Sequence, residues 1–200
     1  MMKDSMPICG VRTNRLLTAL LPLLLAFGVA VPGCAQNDEW KTLNDEAKSL
    51  YRQGQYGRAI VVAQKALEVA EKAKGPNHPD VAQSLNDLAW LCYNHGQYAQ
   101  AEPLFKRSLA IWEKALGPEH PDVALSLSNL AELYRTQGQY AEAEPLQKRS
   151  LAIKEKALGP DHPSVGTSLE NLAELYKATN RAAEAEAFKK RADAIRAIKR

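Results

Sequence analysis

Little in this 200-residue sequence points to chemistry. Its three cysteines make no disulfide framework, because Cys9 and Cys34 lie in a distinct leading segment and Cys92 then stands alone. The body of the chain needs no oxidation to fold. A glycine-rich phosphate loop, a nucleophile elbow, a His-Glu-x-x-His helix and a Cys-x-x-Cys pair are all missing, which removes the commonest nucleotide, acyl-transfer, zinc and redox sites. Such a chain is expected not to be an enzyme and to need no cofactor and no metal. Excess charge is lacking too. Taking Lys3, Arg12, Arg15 and Asp4 from the 26 basic and 23 acidic residues leaves 23 and 22 after residue 35, a net charge of +1. Bulk attraction to nucleic acid or anionic lipid is not expected of such a surface. With 46% apolar and 24% charged residues, the composition suits a globular domain, not a disordered chain or a multi-spanning membrane protein.

One apolar run stands out, Leu16 to Val31, preceded by Arg12 and Arg15 and followed by the small residues Gly33, Cys34 and Ala35. That is the pattern of an export signal. Its 16 residues, interrupted by Thr18, Pro22 and Gly28, would rise only ~24 Å as a helix against a hydrocarbon core of ~30 Å. Removal is therefore expected rather than permanent anchoring. Val31-Pro32-Gly33-Cys34 resembles the lipobox of bacterial lipoproteins, although Pro32 stands where that family has a small residue. The resemblance implies a lipid on the Cys34 thiol. Cleavage after Ala35, with Gly33 and Ala35 as the small pair, is the alternative and releases a chain beginning at Gln36. A third possibility leaves the segment uncleaved as an anchor. Residues 1–35 are thus set apart from a domain of 36–200, and the location expected is periplasmic or envelope-associated.

The remainder is built from copies of one unit. Shifted by 42 residues, His78-Pro79-Asp80-Val81-Ala82 falls on His120-Pro121-Asp122-Val123-Ala124, Gly96-Gln97-Tyr98 falls on Gly138-Gln139-Tyr140, and 30 of 42 positions agree. A third copy begins at His162-Pro163-Ser164-Val165, and a degenerate first copy shows in Leu43, Ala47 and Gly54-Gln55-Tyr56. A period of this length signals a stacked array. Within a unit, Val81, Leu85, Leu88, Ala89 and Cys92 recur at helical spacing. Pro79 and Asp80 suit the first turn, where a missing N–H costs nothing and a carboxylate meets the positive end of the dipole. Gly96 ends this helix, and a second amphipathic helix runs through Ala101, Leu104, Leu109 and Ile111. Ala89, Ala101 and Ser108, repeated as Ala131, Ala143 and Ser150, are small enough for the two backbones to cross closely. Pro103 and Pro145 are expected to bend the second helix without breaking it. The Ala-Leu-Gly-Pro runs at 115–118 and 157–160 stop it.

The spacing of Leu85, Leu88, Ala89, Gly96, Tyr98 and Ala101 resembles the tetratricopeptide repeat, and the 42-residue period is similar to that of kinesin light chain repeats and their bacterial relatives. The resemblance implies an all-α, right-handed solenoid of about four hairpins, in units of about 38–77, 78–119, 120–161 and 162–200. Both ends depart from the pattern. Glu46 replaces an inner leucine, Asn180-Arg181-Ala182 replaces Gly-Gln-Tyr, and the basic final helix reads as a solvated cap.

In that family the first helices line a concave groove that holds a protein or peptide partner. Its positions here differ from unit to unit while the packing positions repeat. Trp90, Tyr93, Asn86 and Arg135 are the expected anchor, with Asn94 near them and with Asn129 and Asn171 at positions where relatives hold peptide backbone. Aromatic and arginine side chains are the types that dominate binding energy. The alternative for Trp90 is packing against a neighbouring helix. The carboxylate clamp of chaperone-binding relatives is not expected, since Asp87 stands where asparagine is needed. His78, His120 and His162 recur too far apart to share a metal, because adjacent helices pack 8–10 Å apart. They read as caps. Glu and Lys residues such as Glu113 read as solvated faces with i,i+4 pairs. Two functional readings follow: an envelope adaptor that recruits a protein, and a structural protein whose repeats stack with copies of themselves. Neither involves nucleic acid, and the membrane enters only through the leading segment.

Overall fold

The computed structural model describes residues 32–198, with side chains from residue 38 onward. Among them are eight helices and no strand: α1 (Pro32–Arg52), α2 (Tyr56–Lys74), α3 (Pro79–Asn94), α4 (Tyr98–Leu116), α5 (Pro121–Thr136), α6 (Tyr140–Leu158), α7 (Pro163–Ala178) and α8 (Ala182–Ile198). They pair as four antiparallel hairpins, and each helix packs chiefly against its chain neighbours, with α3 also touching α5. The expected all-α solenoid is the architecture observed. The export-signal segment lies outside the described residues, as does the Cys34 side chain. Among the described residues no helix is long and apolar enough to cross a membrane.

The helix starts follow from the His-Pro pairs. Pro79, Pro121 and Pro163 occupy the first turns of α3, α5 and α7, and the histidine before each is the N-cap. Its Nδ1 accepts the backbone N–H two residues later, at 3.1 Å for His78, 3.2 Å for His120 and 3.2 Å for His162. That bond satisfies one of the orphan donors of the first turn. The recurring histidines are therefore structural.

Two kinds of glycine end the helices. Between α3 and α4, Gly96 has φ 78°, Gln97 N–H donates to Cys92 O at 2.8 Å, and Gly96 N–H donates to Tyr93 O at 3.0 Å. These are the paired bonds of a Schellman turn. Asn180 takes the same place before α8 at φ 60°, with Arg181 N–H bonded to Tyr176 O at 2.9 Å. The departure from Gly-Gln-Tyr there keeps the turn, since asparagine tolerates this conformation. Gly75, Gly117 and Gly159, after α2, α4 and α6, have φ 85–90° with ψ 155–158°. Only glycine adopts that region without strain.

Small residues sit where the hairpin helices cross. Ala89, Ala101 and Ser108 are fully buried, as are their counterparts Ala131, Ala143 and Ser150. The serines do more than fill space: Ser108 Oγ donates to Ala82 O and Ser150 Oγ to Ala124 O, each at 2.7 Å. α4 and α6 run unbroken through Pro103 and Pro145.

Between hairpins, Phe105 and Trp112 of α4 are buried to within 1% and carry the seam against α5. An arginine ladder runs along the outside. Arg107 meets Glu71 at 2.6 Å and Pro76 O at 3.3 Å, Arg149 meets Glu113 at 2.6 Å and Pro118 O at 3.1 Å, and Arg191 meets Glu155 at 2.5 Å. Glu113 thus pairs with the next hairpin and not with a lysine on its own helix, correcting the expectation above. Pairs within a helix do occur, at Lys106–Glu102 and Lys148–Glu144, both 2.6 Å. The basic final helix is tied down by Arg191, by Arg196 against Glu170, and by Arg181 just before it, 2.8 Å from Glu144.

The two glycine classes should respond differently to substitution. Gly117→Ala is expected to cost about 1–3 kcal/mol of unfolding free energy, whereas Gly96→Asn, which copies Asn180, should cost under about 1 kcal/mol. Urea denaturation of both variants checks this, and equal losses would refute it.

Candidate functional site

α1, α3, α5 and α7 lie side by side and line one surface. Among the hollows that open on it, two are walled by Trp90. The first, about 160 Å³, lies between α1 and α3 with Ala63 of α2 at its base, and is bounded by Lys48, Tyr51, Asp87, Trp90 and Leu91. The second, about 280 Å³, is lined by Trp90, Ser128, Asn129, Glu132, Arg135, Asn171 and Glu174 of α3, α5 and α7.

Trp90 is half-buried and stacks on Tyr93, with ring centroids 5.2 Å apart and 27° between planes. The indole of Trp90 packs partly on the core, as in the packing alternative, and also borders both hollows. Tyr93 is fixed from the other side. Its hydroxyl donates to Glu132 Oε1 at 3.1 Å and lies 3.0 Å from Thr136 Oγ1. Burial pushes the Tyr93 phenol above its ordinary value, with the Glu132 charge adding to the shift against the Thr136 hydrogen bond.

Arg135 is held by Glu132 through a bidentate pair, Nε to Oε2 at 2.8 Å and Nη2 to Oε1 at 2.6 Å, with Glu174 3.9 Å away. Those hydrogen bonds raise its already high pKa. The guanidinium is positioned at the groove, with its fork turned to Glu132. Glu132 is therefore the hub that joins Tyr93 to Arg135, a role the sequence does not announce, because acid and aromatic stand 39 residues apart.

The asparagines separate into different roles. Asn86 is buried and its Oδ1 accepts from Asn129 Nδ2 at 3.0 Å, joining α3 to α5 beneath the surface. Asn129 and Asn171 line the second hollow. Asn94 is exposed at the end of α3 and donates to Trp90 O at 2.7 Å on its own helix.

A polar floor lies behind the second hollow. Lys154 of α6 occupies the register that Trp112 fills in α4, and Gln147 that of Phe105. Lys154 Nζ donates to Ser128 Oγ at 3.1 Å and Ser168 Oγ at 2.9 Å, and Ser128 continues to Ser150 at 2.7 Å. Burial pushes the Lys154 ammonium below its ordinary value. The groove surface on α5 and α7 thus rests on a polar, hydrogen-bonded seam, while that on α3 and α5 rests on an apolar one.

A tetratricopeptide repeat model matches residues 41–113, 93–156 and 122–197 in overlapping passes. The chain belongs to the tetratricopeptide repeat family. Repeats of this kind mediate protein–protein interaction. BtubC (BKLC) from P. vanneervenii is similar in structure, with a TM-score of 0.74 and 25% identity over 80% of this chain and 63% of that one. The chain thus spans less than two thirds of the length of BtubC. The nearly identical TPR-like repeats of a candidate kinesin light chain from Podosopora anserina give a TM-score of 0.71 at 30% identity, covering 78% of this chain and 74% of that one. Aspartyl phosphate phosphatase F from Bacillus subtilis shares the fold, with a TM-score of 0.69 at 19% identity over 79% of this chain and 40% of that one. No curated protein matches in sequence.

Lys154 gives the repeat array a pH signature. Its folded-state pKa is lowered, so the unfolded chain binds more protons in the window between that lowered value and the ordinary 10.5. Stability from this residue is fully present above 10.5 and is lost as pH falls through the folded value. Lys154→Met should raise the urea midpoint at pH 7 and flatten the alkaline rise expected of the parent chain. Identical pH profiles for the two would contradict the burial described.

Proposed function

We propose that this chain is an exported adaptor of the bacterial cell envelope that holds an extended segment of a partner protein in the groove along α1, α3, α5 and α7. One observation carries the proposal. The core positions of the first helices are copied from unit to unit, as at Val81, Val123 and Val165 or Leu85, Leu127 and Leu169, whereas groove positions on the same helices change at each step, from Tyr93 to Arg135 to Lys177. Selection for stacking alone would not require that contrast on a single face. Trp90, half-exposed between two hollows and stacked on a hydrogen-bonded Tyr93, is a rigid aromatic anchor of the kind that dominates binding energy.

Export rests on the sequence of residues 12–35. Arg12 and Arg15, the apolar run and the Gly33-Cys34-Ala35 site would deliver the repeats across the inner membrane. A lipid on Cys34 would keep them at its surface. The tether to the groove would then be short, since α1 begins at Pro32 and its first groove residues lie two to three turns further on.

Two measurements test these statements. Peptides selected from a displayed random library on the full chain in detergent should lose at least tenfold in affinity on Trp90→Ala; unchanged affinity would remove Trp90 from the site. The intact mass of the N-terminus of protein isolated from its native envelope should show diacylglyceryl on Cys34. A chain beginning at Gln36 would instead mean release as a soluble protein.

A further inference from the structure

The first hollow carries a charge that its counterparts lack. Asp87 stands in the register occupied by Asn129 in α5 and Asn171 in α7, and by Asp45 in α1, so the third and fourth hairpins have a neutral amide where the α1–α3 hollow has an acid. The carboxylate is mostly covered, with 28% of its side chain exposed, and its neighbours compensate it poorly. Oδ1 accepts from Gln83 Nε2 at 2.8 Å, while the cation facing Oδ2 is Lys48, 4.0 Å away and 56% exposed. That separation exceeds a charge-assisted hydrogen bond, which runs about 2.7–2.9 Å. Burial accordingly pushes the Asp87 carboxyl above its ordinary value, against the lowering effects of Lys48, Gln83 and Asn86.

The walls around this acid are aromatic and apolar: Tyr51, Trp90, Ala63 and Leu91. At about 160 Å³ the hollow is too small for a drug-sized ligand, whose pockets start near ~300 Å³. It has the size of one side chain. A side chain with an aliphatic stem suits Ala63 and Leu91, a flat cationic head suits the faces of Trp90 and Tyr51, and a two-donor fork suits the free lone pairs of Asp87. Arginine has all three, and its guanidinium is more weakly hydrated than an ammonium, so it enters a partly dry site at lower cost. The rest of the groove is compatible. Asp87, Glu132 and Glu174 face Lys48 and Arg135 across the two hollows, an excess of one acid, and Arg135 is already committed to Glu132.

We propose that the hollow between α1 and α3 is a specificity pocket for an arginine side chain of the bound segment, with the guanidinium paired to Asp87 and stacked on Trp90. This rests on the reading of the groove as a peptide site. Lys48 competes with the incoming cation for Asp87, so the two charged walls have opposite effects: removing Asp87 abolishes selection, and removing Lys48 strengthens it. Asp87→Asn installs the residue that the third and fourth hairpins already carry at this position, and the fold should accept it.

The test uses arrays of heptapeptides with a fixed central residue and random flanks, probed with the full chain in detergent. The central residue is arginine, citrulline, norleucine or glutamate. Citrulline keeps the shape of arginine without its charge. The arginine array should retain the chain at least tenfold more than the citrulline array, Asp87→Asn should bring the two together, and Lys48→Gln should raise arginine retention further. If the norleucine or glutamate array retains the chain best, and retention is lost in Trp90→Ala, the groove stands and the arginine pocket falls. Retention by arginine that survives Asp87→Asn also overturns the pocket. If no array retains the chain above the Trp90→Ala background, pocket and groove fall together.

Discussion

Everything in this structure depends on one kind of contact, the burial of each second helix against the first helix of the next hairpin. A single hairpin of about 40 residues lies at the limit of what a hydrophobic core can hold without help. α4 shows what such a contact requires. Phe105 and Trp112 are buried to within 1%, and truncating aromatics in sites of this kind costs about 3–5 kcal/mol each. Around them the serine-to-carbonyl bonds, histidine caps and arginine ladder set geometry rather than supply the bulk of the stability. Exposed and half-exposed ion pairs contribute at most about 1 kcal/mol each. Their effect is to define the angle at which one hairpin meets the next, and so the spacing of α1, α3, α5 and α7.

The groove is a consequence of that spacing. Residues of successive first helices come close enough to bond across hairpins, as Tyr93 does with Glu132 and Asn86 with Asn129. Part of the proposed anchor is thereby preorganised: Tyr93 is held at its hydroxyl, Trp90 leans on Tyr93, and Arg135 is clamped by Glu132. Side chains immobilised before binding lose less entropy when a partner arrives. The polar seam behind α5 and α7 acts in the other direction. Lys154 and Gln147 stand where α4 has Trp112 and Phe105, so the fourth hairpin is joined by hydrogen bonds where the third is joined by apolar packing. A groove whose far end rests on the weaker seam can change its curvature at that end first.

The repeat made most of the fold legible. A period of 42 residues, proline after histidine and glycine before Gln-Tyr place the helices and their turns, because each of those residues has few alternative conformations. The inward and outward faces were legible for the same reason. What could not be read were contacts between units. Glu113 has Lys114 beside it in the chain, yet its partner Arg149 is 36 positions away, and the serines of the crossing look merely small until the carbonyl of Ala82 is placed beside Ser108. The Trp90–Tyr93 pair follows from helical spacing, while the Glu132 hub requires knowing how far one hairpin is rotated on the next. Asp87 showed itself only as a break from the asparagine of its relatives; its place in an aromatic hollow emerges when α1 is laid beside α3.

Native-state hydrogen exchange on the full chain, followed helix by helix, tests most directly whether nesting between hairpins governs this molecule. Amides of α3, α4 and α5, around the apolar seam, should exchange only through global unfolding, and those of α7 and α8 should open at lower free energy through separation at the Lys154 seam. Slowest exchange in α7 and α8, or equal protection in all four hairpins, would contradict it.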